Sequence, residues 1–330
     1  MQKISVIGGG SWATAIVKIL SEQIDVRINW WIRHESDVEH ILKYQHNPNY
    51  LSGINIDLSK VLPSTDLRTQ ILDSEIVILA VPSAFIKGIL DNLTKEDLKD
   101  KVIVSAIKGM IPGHNYLISE YVEKHFNISP DNVFAIAGPC HSEEIALEKQ
   151  SYLTIAAKRP ENGQVIADLF SCRYVKACVI EDLYGIEYCA IMKNIIALAC
   201  GVARGLNYGD NFQAVLVSNA MSEIKGFLDV IAPQSRDLNR SAYLGDLLVT
   251  SYSQFSRNRT LGNMVGRGYS VKSAMIEMKM IAEGYYAVQS IYQIGNEKGL
   301  DMPITKAVYN ILYEKISPSI ELRILENLMN

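Results

Sequence analysis

The feature that most constrains the fold is a glycine-rich turn near the start of the chain. The hexapeptide Gly8–Ala13, sequence GGGSWA, directly follows a predicted strand, Lys3–Ile7, and opens a predicted helix. It is a GxGxxG pattern with alanine in third place. Gly8 permits the tight turn, Gly10 lets the backbone approach a pyrophosphate, and Ala13 allows helix and strand to pack closely. The pattern predicts a dinucleotide site at a helix N-terminus, and the alternative is a glycine-rich turn without a ligand.

The first half of the chain alternates short apolar runs with helical patterns. The predicted strands are Lys3–Ile7, Val26–Trp31, Ile76–Val81, Val102–Ala106, Val133–Ala137 and Leu153–Ala157. The predicted helices between them are Trp12–Ser21, Ala84–Leu93, Tyr116–His125 and Glu143–Lys149. Alternation of this kind predicts an α/β domain, in which helices cover a mostly parallel sheet.

The second half of the chain carries long helical patterns and no strand pattern after about residue 182. The predicted helices are Leu183–Arg204, Asn211–Ile231, Val271–Met278, Ala282–Glu297 and Ile304–Tyr313, with Pro303 suited to the opening of the last. We therefore expect an α/β domain over residues 1–182 and an all-α domain over residues 183–330. A functional site is expected in the cleft between them.

Composition excludes several classes of function. The net charge of the 330 residues is −4, so no basic field favours nucleic acid or a membrane surface, and an anionic ligand needs a local basic cluster. The five cysteines are odd in number, form no CxxC pair and indicate reduced thiols rather than a disulfide framework or a zinc site. We expect no metal site, and no signal peptide, because a strand pattern begins at once. These features predict a cytoplasmic protein.

A lysine stands inside an apolar run. The run Gly185–Leu206 is long enough to suggest a membrane span, but Glu187, Lys193 and Arg204 interrupt it, so a buried core helix is the better interpretation. Burying an ammonium group costs several kcal/mol unless it is paired. Burial also lowers the pKa of lysines toward the range useful for proton transfer. Lys193 is therefore a candidate catalyst, and the alternative is a lysine that extends to water.

The end of the second strand bears on the choice of cofactor. An acidic residue about 20 positions after the glycine turn binds the ribose of NAD, whereas an arginine can face the 2′-phosphate of NADP. Here Arg33 and His34 follow the strand, and Glu35 comes only afterwards. NADP(H) is favoured, and NAD(H) is allowed if Arg33 only stacks on adenine.

Four further segments carry candidate polar groups. Lys108 follows a strand end, and Gly138–Glu144 opens a helix after another strand, where a structural turn is equally compatible. Asp246 lies among apolar residues and needs a partner, for which a nearby lysine would serve, or else it caps a helix. Ser256–Arg259 is a cluster of donors suited to phosphate, or a solvated loop.

Taken in order along nearly the whole chain, these segments resemble the bacterial NAD(P)+-dependent glycerol-3-phosphate dehydrogenases. The matching segments are Gly8–Ala13, Trp31, Arg33, Lys108-Gly109, Gly138-Pro139, Lys193-Asn194, Gly245–Leu247, Ser256–Arg259, Glu283–Tyr285 and Met302–Thr305. The resemblance implies a Rossmann domain joined to a helical domain. It implies an oxidoreductase that reversibly reduces dihydroxyacetone phosphate, a small-molecule substrate, to sn-glycerol 3-phosphate for phospholipid biosynthesis. A homodimer is compatible with it.

The resemblance also implies roles for individual residues. Lys193 corresponds to the general acid and base. Asp246 is expected to pair with Lys193 and orient it, and Lys108 is expected to add positive charge near the substrate oxygens. Substrate contacts are implied for Lys108, Gly138, Cys140, Lys193, Asp246, Ser256, Arg257 and Asn258. Cofactor contacts are implied for Gly8, Gly10, Ser11, Trp12, Arg33, His34, Tyr50, Lys108, Ser142, Arg257, Ile281 and Glu283.

The chain departs from the family pattern at three positions. Cys140 stands where the family has serine or threonine, which leaves its backbone N–H as the substrate contact. Ser142 stands in place of alanine, and Ala282 in place of valine. Two alternatives remain: a related reductase of the 6-phosphogluconate or 3-hydroxyacid type, and a catalytically inactive NADP(H)-binding regulator. Substrate competition would separate the related reductase, because Ser256–Arg259 predicts a phosphate requirement, and the intact Lys193, Asp246 and Arg257 argue against an inactive regulator.

Overall fold

The computed structural model describes residues 1–278 and 281–329, which form two compact units. The first unit comprises Met1–Ile107 and Tyr116–Leu183, and the second comprises Lys108–Asn115 and Tyr184–Asn330. The predicted domains differ from this division in the short segment 108–115 and at residue 183. We retain residues 1–182 and 183–330 as the proposed domains.

The first unit is built on a twisted eight-stranded sheet. Its strands are β1 Gln2–Ile7, β2 Val26–Trp31, β3 Val61–Ser64, β4 Ile76–Leu79, β5 Val102–Ser105, β6 Val133–Ala137, β7 Ser151–Ala156 and β8 Val175–Ile180. They lie in the order β3-β2-β1-β4-β5-β6-β7-β8, and every neighbouring pair is parallel except β6 and β7. The order reverses at β1, whose neighbours are β2 and β4, and ligands of such sheets bind at the carboxyl ends of the strands beside this point.

Helices of the first unit connect the strands. They are α1 Ser11–Ser21, α2 Glu35–Tyr44, α3 Leu67–Leu72, α4 Ser83–Leu90, α5 Ile118–Phe126, α6 Ser142–Ala146 and α7 Pro160–Phe170. Helix α1 is buried along most of its length, and side chains such as Ile16 and Ile19 join those of Ile4 and Ile28 in the core. The α/β prediction with a mostly parallel sheet is confirmed.

All six predicted strands are present, and the two strands that the sequence did not predict lie at the two edges of the sheet. Strand β3 has four residues and contains Pro63, which weakens the strand pattern but is tolerated at an edge. Strand β8 has only one fully buried residue, Val175. Edge strands bury less apolar surface, so their sequences carry a weaker signal.

The second unit is helical in its described residues. Its helices are α8 Leu183–Gly205, α9 Asp210–Ile231, α10 Asp246–Tyr252, α11 Arg257–Gly266, α12 Val271–Met278, α13 Glu283–Glu297, α14 Pro303–Leu312 and α15 Pro318–Leu328. The predicted helical character is confirmed, and Pro303 opens α14 as expected. Helices α10, α11 and α15 were not predicted. Pro318 opens α15 just as Pro303 opens α14, and proline at the first turn was the available signal.

Helix α8 is the core helix of the second unit. Among the described residues it is the one helix that is long and apolar enough to cross a membrane, yet its most apolar stretch is 100% buried inside the protein. Ile195, Ile196 and Leu198 have no exposed surface. The prediction of a buried core helix is therefore confirmed.

Candidate functional site

The glycine turn of the first unit has a backbone conformation that excludes other residues. Gly8 has φ +135°, and a Cβ there would lie 2.4 Å from the carbonyl oxygen of Ala80. The turn is tied to β2, because Gly8 N–H donates to Trp31 O at 3.0 Å and Trp30 Nε1 donates to Gly8 O at 2.7 Å. Glycine is required at position 8 on both conformational and steric grounds.

The N-terminus of α1 is suited to an anion. Its N-cap is Gly10, which has no side chain to satisfy the first backbone N–H groups of the helix. Ser11 and Trp12 form the first turn, and no acidic side chain lies there to repel a phosphate. The N–H groups and the positive end of the helix dipole therefore fit the pyrophosphate of a dinucleotide.

Arg33 and His34 lie side by side after β2. The Arg33 guanidinium donates from Nε and Nη2 to His34 Nε2, at 3.1 and 2.9 Å, and both side chains are exposed. The guanidinium carbon also lies 5.9 Å from the ring centroid of Phe85 in α4, a cation–π contact that the sequence did not reveal. Glu35 is engaged elsewhere, since it accepts a hydrogen bond from Thr65 Oγ1 at 2.8 Å. The arrangement presents positive charge just after β2, where the sequence analysis predicts the contact with an NADP 2′-phosphate.

A second turn in the first unit follows β6 and carries three of the predicted residues. Gly138 has φ +116°, and a Cβ there would lie 2.6 Å from Tyr152 O. The Cys140 thiol donates to the Gly138 carbonyl at 3.3 Å, and Cys140 is buried. Ser142 begins α6, and its hydroxyl donates to Glu143 Oε2 at 3.1 Å. The thiol therefore stabilises the turn, which leaves the backbone N–H of Cys140 as the group that the prediction assigns to the substrate.

The lysine of α8 is buried and paired. The Lys193 ammonium donates a hydrogen bond to Asp246 Oδ1, and these residues are only 4% and 2% exposed. The pairing predicted from the sequence is confirmed, and a lysine that extends to water is excluded. The N-cap position of α10 is occupied by Gly245, and Asp246 is the first residue of that helix, with its carboxylate bonded to Lys193 across 53 positions of sequence.

The backbone around Asp246 is unusual. A π-helical turn, Ser241–Gly245, leads directly into α10, and Asp246 is the first residue after it. π-Helical turns are rare and are frequent at functional sites. The hydroxyl of Thr250, one turn later, donates to Asp246 O at 2.6 Å. The Asp246 side chain thus projects from the first turn of a short helix, α10, in which the Thr250 hydroxyl bonds to the Asp246 carbonyl.

Lys108 lies in the same unit as Lys193. The side chain of Asn194, next to Lys193 on α8, donates from Nδ2 to the Lys108 carbonyl oxygen at 3.2 Å. Lys108 is half-buried, whereas Asn194 is 5% exposed. The sequence placed Asn194 in a matching segment but assigned it no role, and the structure shows that it fixes the backbone of Lys108 against α8.

The donor cluster Ser256–Arg259 opens a helix and is not a solvated loop. Ser256 is the N-cap of α11, where its hydroxyl accepts from Arg259 N–H at 3.3 Å, and both Ser256 and Asn258 are buried. Asn258 Oδ1 accepts from Gly284 N–H at 2.9 Å. Its NH2 group is then the part of the amide that can donate to a phosphate, beside Arg257 and the helix N-terminus.

The Asn258 contact also brings together two predicted groups of residues. Gly284 directly follows Glu283, the first residue of α13, and Ile281 lies two positions before Glu283. Asn258 was predicted for the substrate, and Ile281 and Glu283 for the cofactor. The second unit therefore places candidate residues of both kinds at adjoining helix N-termini.

Helices α8 and α11 cross with their backbones in direct contact. The contact is formed by pairs of glycines one turn apart on each helix: Gly201 and Gly205 on α8, Gly262 and Gly266 on α11. A Cβ on Gly262 would lie 2.1 Å from Leu198 O, and one on Gly201 would lie 2.1 Å from Arg259 O. Leu198 is five residues after Lys193, roughly 8 Å along the helix axis. The crossing therefore sets the position of the α11 donor cluster relative to Lys193.

Cys200, also on α8, is not suited to act as a nucleophile at neutral pH. The residue is buried completely, and this burial raises the pKa of its thiol to about 12. Because the thiolate is the nucleophilic form, the thiol stays unreactive. No group of three or more His, Cys, Asp or Glu residues suited to a metal ion occurs within residues 1–278 and 281–329.

Comparison with known proteins relates both halves of the chain to one family. Residues 3–163 match a family model described as the N-terminus of NAD-dependent glycerol-3-phosphate dehydrogenase, and residues 182–323 match the model of its C-terminus. A curated NAD(P)+ glycerol-3-phosphate dehydrogenase from Staphylococcus carnosus is 30% identical over 98% of both chains. Another from Syntrophomonas wolfei is 32% identical, over 95% of this chain and 91% of the relative.

Solved structures show the same fold. Glycerol-3-phosphate dehydrogenase from Coxiella burnetii superposes with a TM-score of 0.92 over 98% of both chains, at 24% identity. The Plasmodium falciparum enzyme has a TM-score of 0.86 at 25% identity, covering 98% of this chain and 94% of its own. A Ralstonia eutropha ketopantoate reductase shares the fold more distantly, with a TM-score of 0.59 at 14% identity.

Proposed function

Because the chain belongs to the family of NAD-dependent glycerol-3-phosphate dehydrogenases, we propose that it reduces dihydroxyacetone phosphate reversibly to sn-glycerol 3-phosphate with NAD(P)H. The family assignment confirms the resemblance drawn from the sequence motifs. It does not favour a 6-phosphogluconate or 3-hydroxyacid reductase, or an inactive regulator. The observation that carries the proposal is the buried Lys193–Asp246 pair in the unit that also holds the donor cluster of α11.

The first unit is assigned to the cofactor. The backbone N–H groups after Gly10 hold the pyrophosphate, with Gly8 maintaining the turn. Arg33 and His34 receive the 2′-phosphate, which favours NADP(H), while NAD(H) is also accepted. When bound, the dinucleotide supplies the hydride that reduces the ketone carbon. The further cofactor contacts proposed are Ser11, Trp12, Tyr50, Lys108, Ser142, Arg257, Ile281 and Glu283.

The phosphate of the substrate is held by basic and amide groups. Arg257 donates to the phosphate oxygens, with Asn258 and Ser256 adding neutral donors at the N-terminus of α11. Lys108 adds positive charge near the substrate oxygens. Gly138 and the backbone N–H of Cys140 are the proposed contacts from the first unit. These contacts bind the substrate and also align its ketone for reaction.

Lys193 is the proposed general acid and base. As an ammonium group it stabilises the negative charge that develops on the ketone oxygen and donates a proton to it, and in the reverse reaction it accepts that proton. Asp246 orients the ammonium and offsets the cost of burying its charge. Proton transfer of this kind contributes about 10²–10⁴-fold to rate.

The test is a steady-state assay with dihydroxyacetone phosphate and each cofactor, followed by nicotinamide absorbance. We expect Lys193→Ala to lower kcat by about 10²-fold or more while NADPH binding is retained. Lys225→Ala is the matched control, because Lys225 also pairs with an aspartate, Asp229, but on the exposed surface of α9. It should retain wild-type activity.

Removing Lys193 alone takes away the buried cation that faces the Asp246 carboxylate, and breaking a buried ion pair in this way can unfold the protein. The double variant Lys193→Met with Asp246→Leu avoids this, since replacing a buried pair by apolar residues is often neutral for stability. It should fold and bind NADPH but not turn over. Turnover near the wild-type rate in a folded Lys193 variant would refute the catalytic assignment, and no oxidation of either cofactor by the wild-type protein would refute the proposed function.

We also propose that the protein works in the cytoplasm, as a homodimer, and supplies sn-glycerol 3-phosphate to phospholipid synthesis. Sedimentation of the purified protein tests the dimer, and a monomer at working concentration would contradict it. Cell fractionation tests the location, and recovery of the activity outside the cytosolic fraction would contradict it.

A further inference from the structure

Asn47 is a buried amide that touches the glycine turn, and neither the sequence motifs nor the family comparison assigned it a role. It lies in the segment after α2 and is 3% exposed. Its Nδ2 donates to Gly9 O at 3.0 Å and to Thr14 Oγ1 at 2.9 Å. Its Oδ1 accepts from the backbone N–H groups of Asn49 and Tyr50, at 2.9 and 3.1 Å. All four hydrogen-bonding positions of the amide are used.

The orientation of this amide is fixed by its partners. The carbonyl of Gly9 only accepts, and the backbone N–H groups of Asn49 and Tyr50 only donate, so the oxygen and nitrogen of Asn47 cannot be exchanged. Pro48 has no N–H, which leaves the next two N–H groups for Oδ1. The side chain therefore joins the glycine turn to the segment that carries Tyr50, a proposed cofactor contact.

Thr14 extends the network to the next peptide. Its hydroxyl accepts from Asn47 and donates to Gly10 O at 3.0 Å, and its backbone N–H donates to the same carbonyl, also at 3.0 Å. Thr14 has no exposed surface. The Gly9 carbonyl is thus bonded by Asn47, and the Gly10 carbonyl is bonded by Thr14.

Because peptide groups are planar, these contacts to carbonyl groups also fix the orientation of the N–H groups at the proposed anion site. In a trans peptide, the C=O of one residue and the N–H of the next lie in one plane and point in opposite directions. Fixing the Gly9 carbonyl therefore fixes the Gly10 N–H, and fixing the Gly10 carbonyl fixes the Ser11 N–H. These N–H groups stand at the N-terminus of α1, where the pyrophosphate is proposed to bind.

We propose that Asn47 is a positioning residue for dinucleotide binding, which acts through the peptide planes of Gly9 and Gly10 and through the Tyr50 segment. It does not touch the ligand. The inference rests on the proposed function only in that the glycine turn binds NAD(P)H. It predicts that loss of the Asn47 amide weakens cofactor binding specifically, without affecting the handling of the substrate in the second unit.

The test compares the NADPH Kd, measured by calorimetry, with the KM for dihydroxyacetone phosphate and kcat at saturating NADPH. Asn47→Ala should raise the NADPH Kd on the order of tenfold, because two hydrogen bonds to the turn are lost. The KM for dihydroxyacetone phosphate and kcat should stay within about twofold of wild type. Asn49→Ala is the matched control, because Asn49 is exposed and, within the part of the chain that the structure describes, its side chain bonds only to Asp37. The substitution keeps the backbone N–H that donates to Asn47.

Thr14 provides a second pair of variants if Asn47→Ala does not fold. Thr14→Val removes the hydroxyl at constant shape, whereas Thr14→Ser keeps it. We expect Thr14→Val to weaken NADPH binding about fivefold and Thr14→Ser to bind as wild type does. Equal NADPH affinity in Thr14→Val and Thr14→Ser, or in folded Asn47→Ala and wild type, overturns the positioning role. Failure of the wild-type protein to bind NADPH is a different outcome, which refutes the proposed function itself.

Discussion

The crossing of α8 and α11 offers a direct test of how the second unit arranges its site. We consider Gly262→Ala, which adds one methyl group at the contact. The new Cβ would lie 2.1 Å from Leu198 O and 3.0 Å from both Leu198 C and Val202 N. These are backbone atoms of a buried helix, so no side chain can rotate to make room.

The size of the displacement follows from these distances. Ordinary contacts of a Cβ begin at 3.4 Å, so the two helix backbones must separate by about 1 Å at this point. Overpacking of this kind costs about 1–3 kcal/mol of stability, offset in part by the roughly 1 kcal/mol that alanine gains over glycine in a helix.

The displacement reaches the site because the contact lies close to it. Asn258 is four residues before Gly262, about 6 Å along α11, and Lys193 lies roughly 8 Å along α8 from Leu198. Moving the donor cluster by about 1 Å relative to Lys193 misaligns the substrate, for which a loss on the order of 10²-fold in kcat/KM is expected. The effect on activity should therefore exceed the effect on stability.

The assay measures kcat/KM for dihydroxyacetone phosphate together with the free energy of unfolding in urea. Gly226→Ala is the matched control, because Gly226 lies inside α9 and a Cβ there meets no atom within 4 Å. That control should gain about 0.5–1 kcal/mol and keep its activity. If Gly262→Ala loses stability but keeps wild-type kcat/KM, the crossing does not set the geometry of the site; if neither quantity changes, the close approach of the helices is wrong.

Two further predictions concern buried titratable groups in the second unit. Burial raises the pKa of Glu223 above 4.5. The folded protein therefore binds this proton more tightly than the unfolded chain does. The resulting stabilisation is fully present below pH 4.5 and is lost as the pH rises through the raised pKa. Glu223→Gln should abolish this part of the pH dependence, measured by urea unfolding at a series of pH values; an unchanged slope would contradict the assignment. Cys200 should resist maleimide at neutral pH while the exposed Cys178 reacts, as mass spectrometry of labelled peptides would show. Equal labelling of the two thiols in the folded protein would contradict the burial of Cys200.

Local patterns were sufficient for the parts of the fold that bury the most apolar surface. The glycine turn, the six central strand patterns and the long helices α8 and α9 were all predicted at nearly their observed bounds. Some of the missed elements bury little surface. Helix α2, for example, has only Val38 and Ile41 fully buried, so its apolar periodicity was too weak to recognise.

Some candidate residues could be recognised from the sequence, and others only from their contacts in the structure. Lys193, Asp246 and Ser256–Arg259 were conspicuous because their residue types contrast with their neighbours in sequence. Asn47 and Phe85 were missed, since an asparagine before a proline reads as a turn and a phenylalanine in a helix reads as core. Only their contacts, with Gly9 and with Arg33, distinguish them.

The sequence by itself determined the fold class, the dinucleotide turn and the presence of a charge inside an apolar helix, because each depends on residues adjacent along the chain. The tertiary structure alone decided that α8 and α11 touch backbone to backbone and that Asn47 holds the glycine turn. These contacts join residues tens of positions apart. Helical and strand periodicity records which face of an element is buried but not what that face is buried against, so the partners emerge only when the chain is packed.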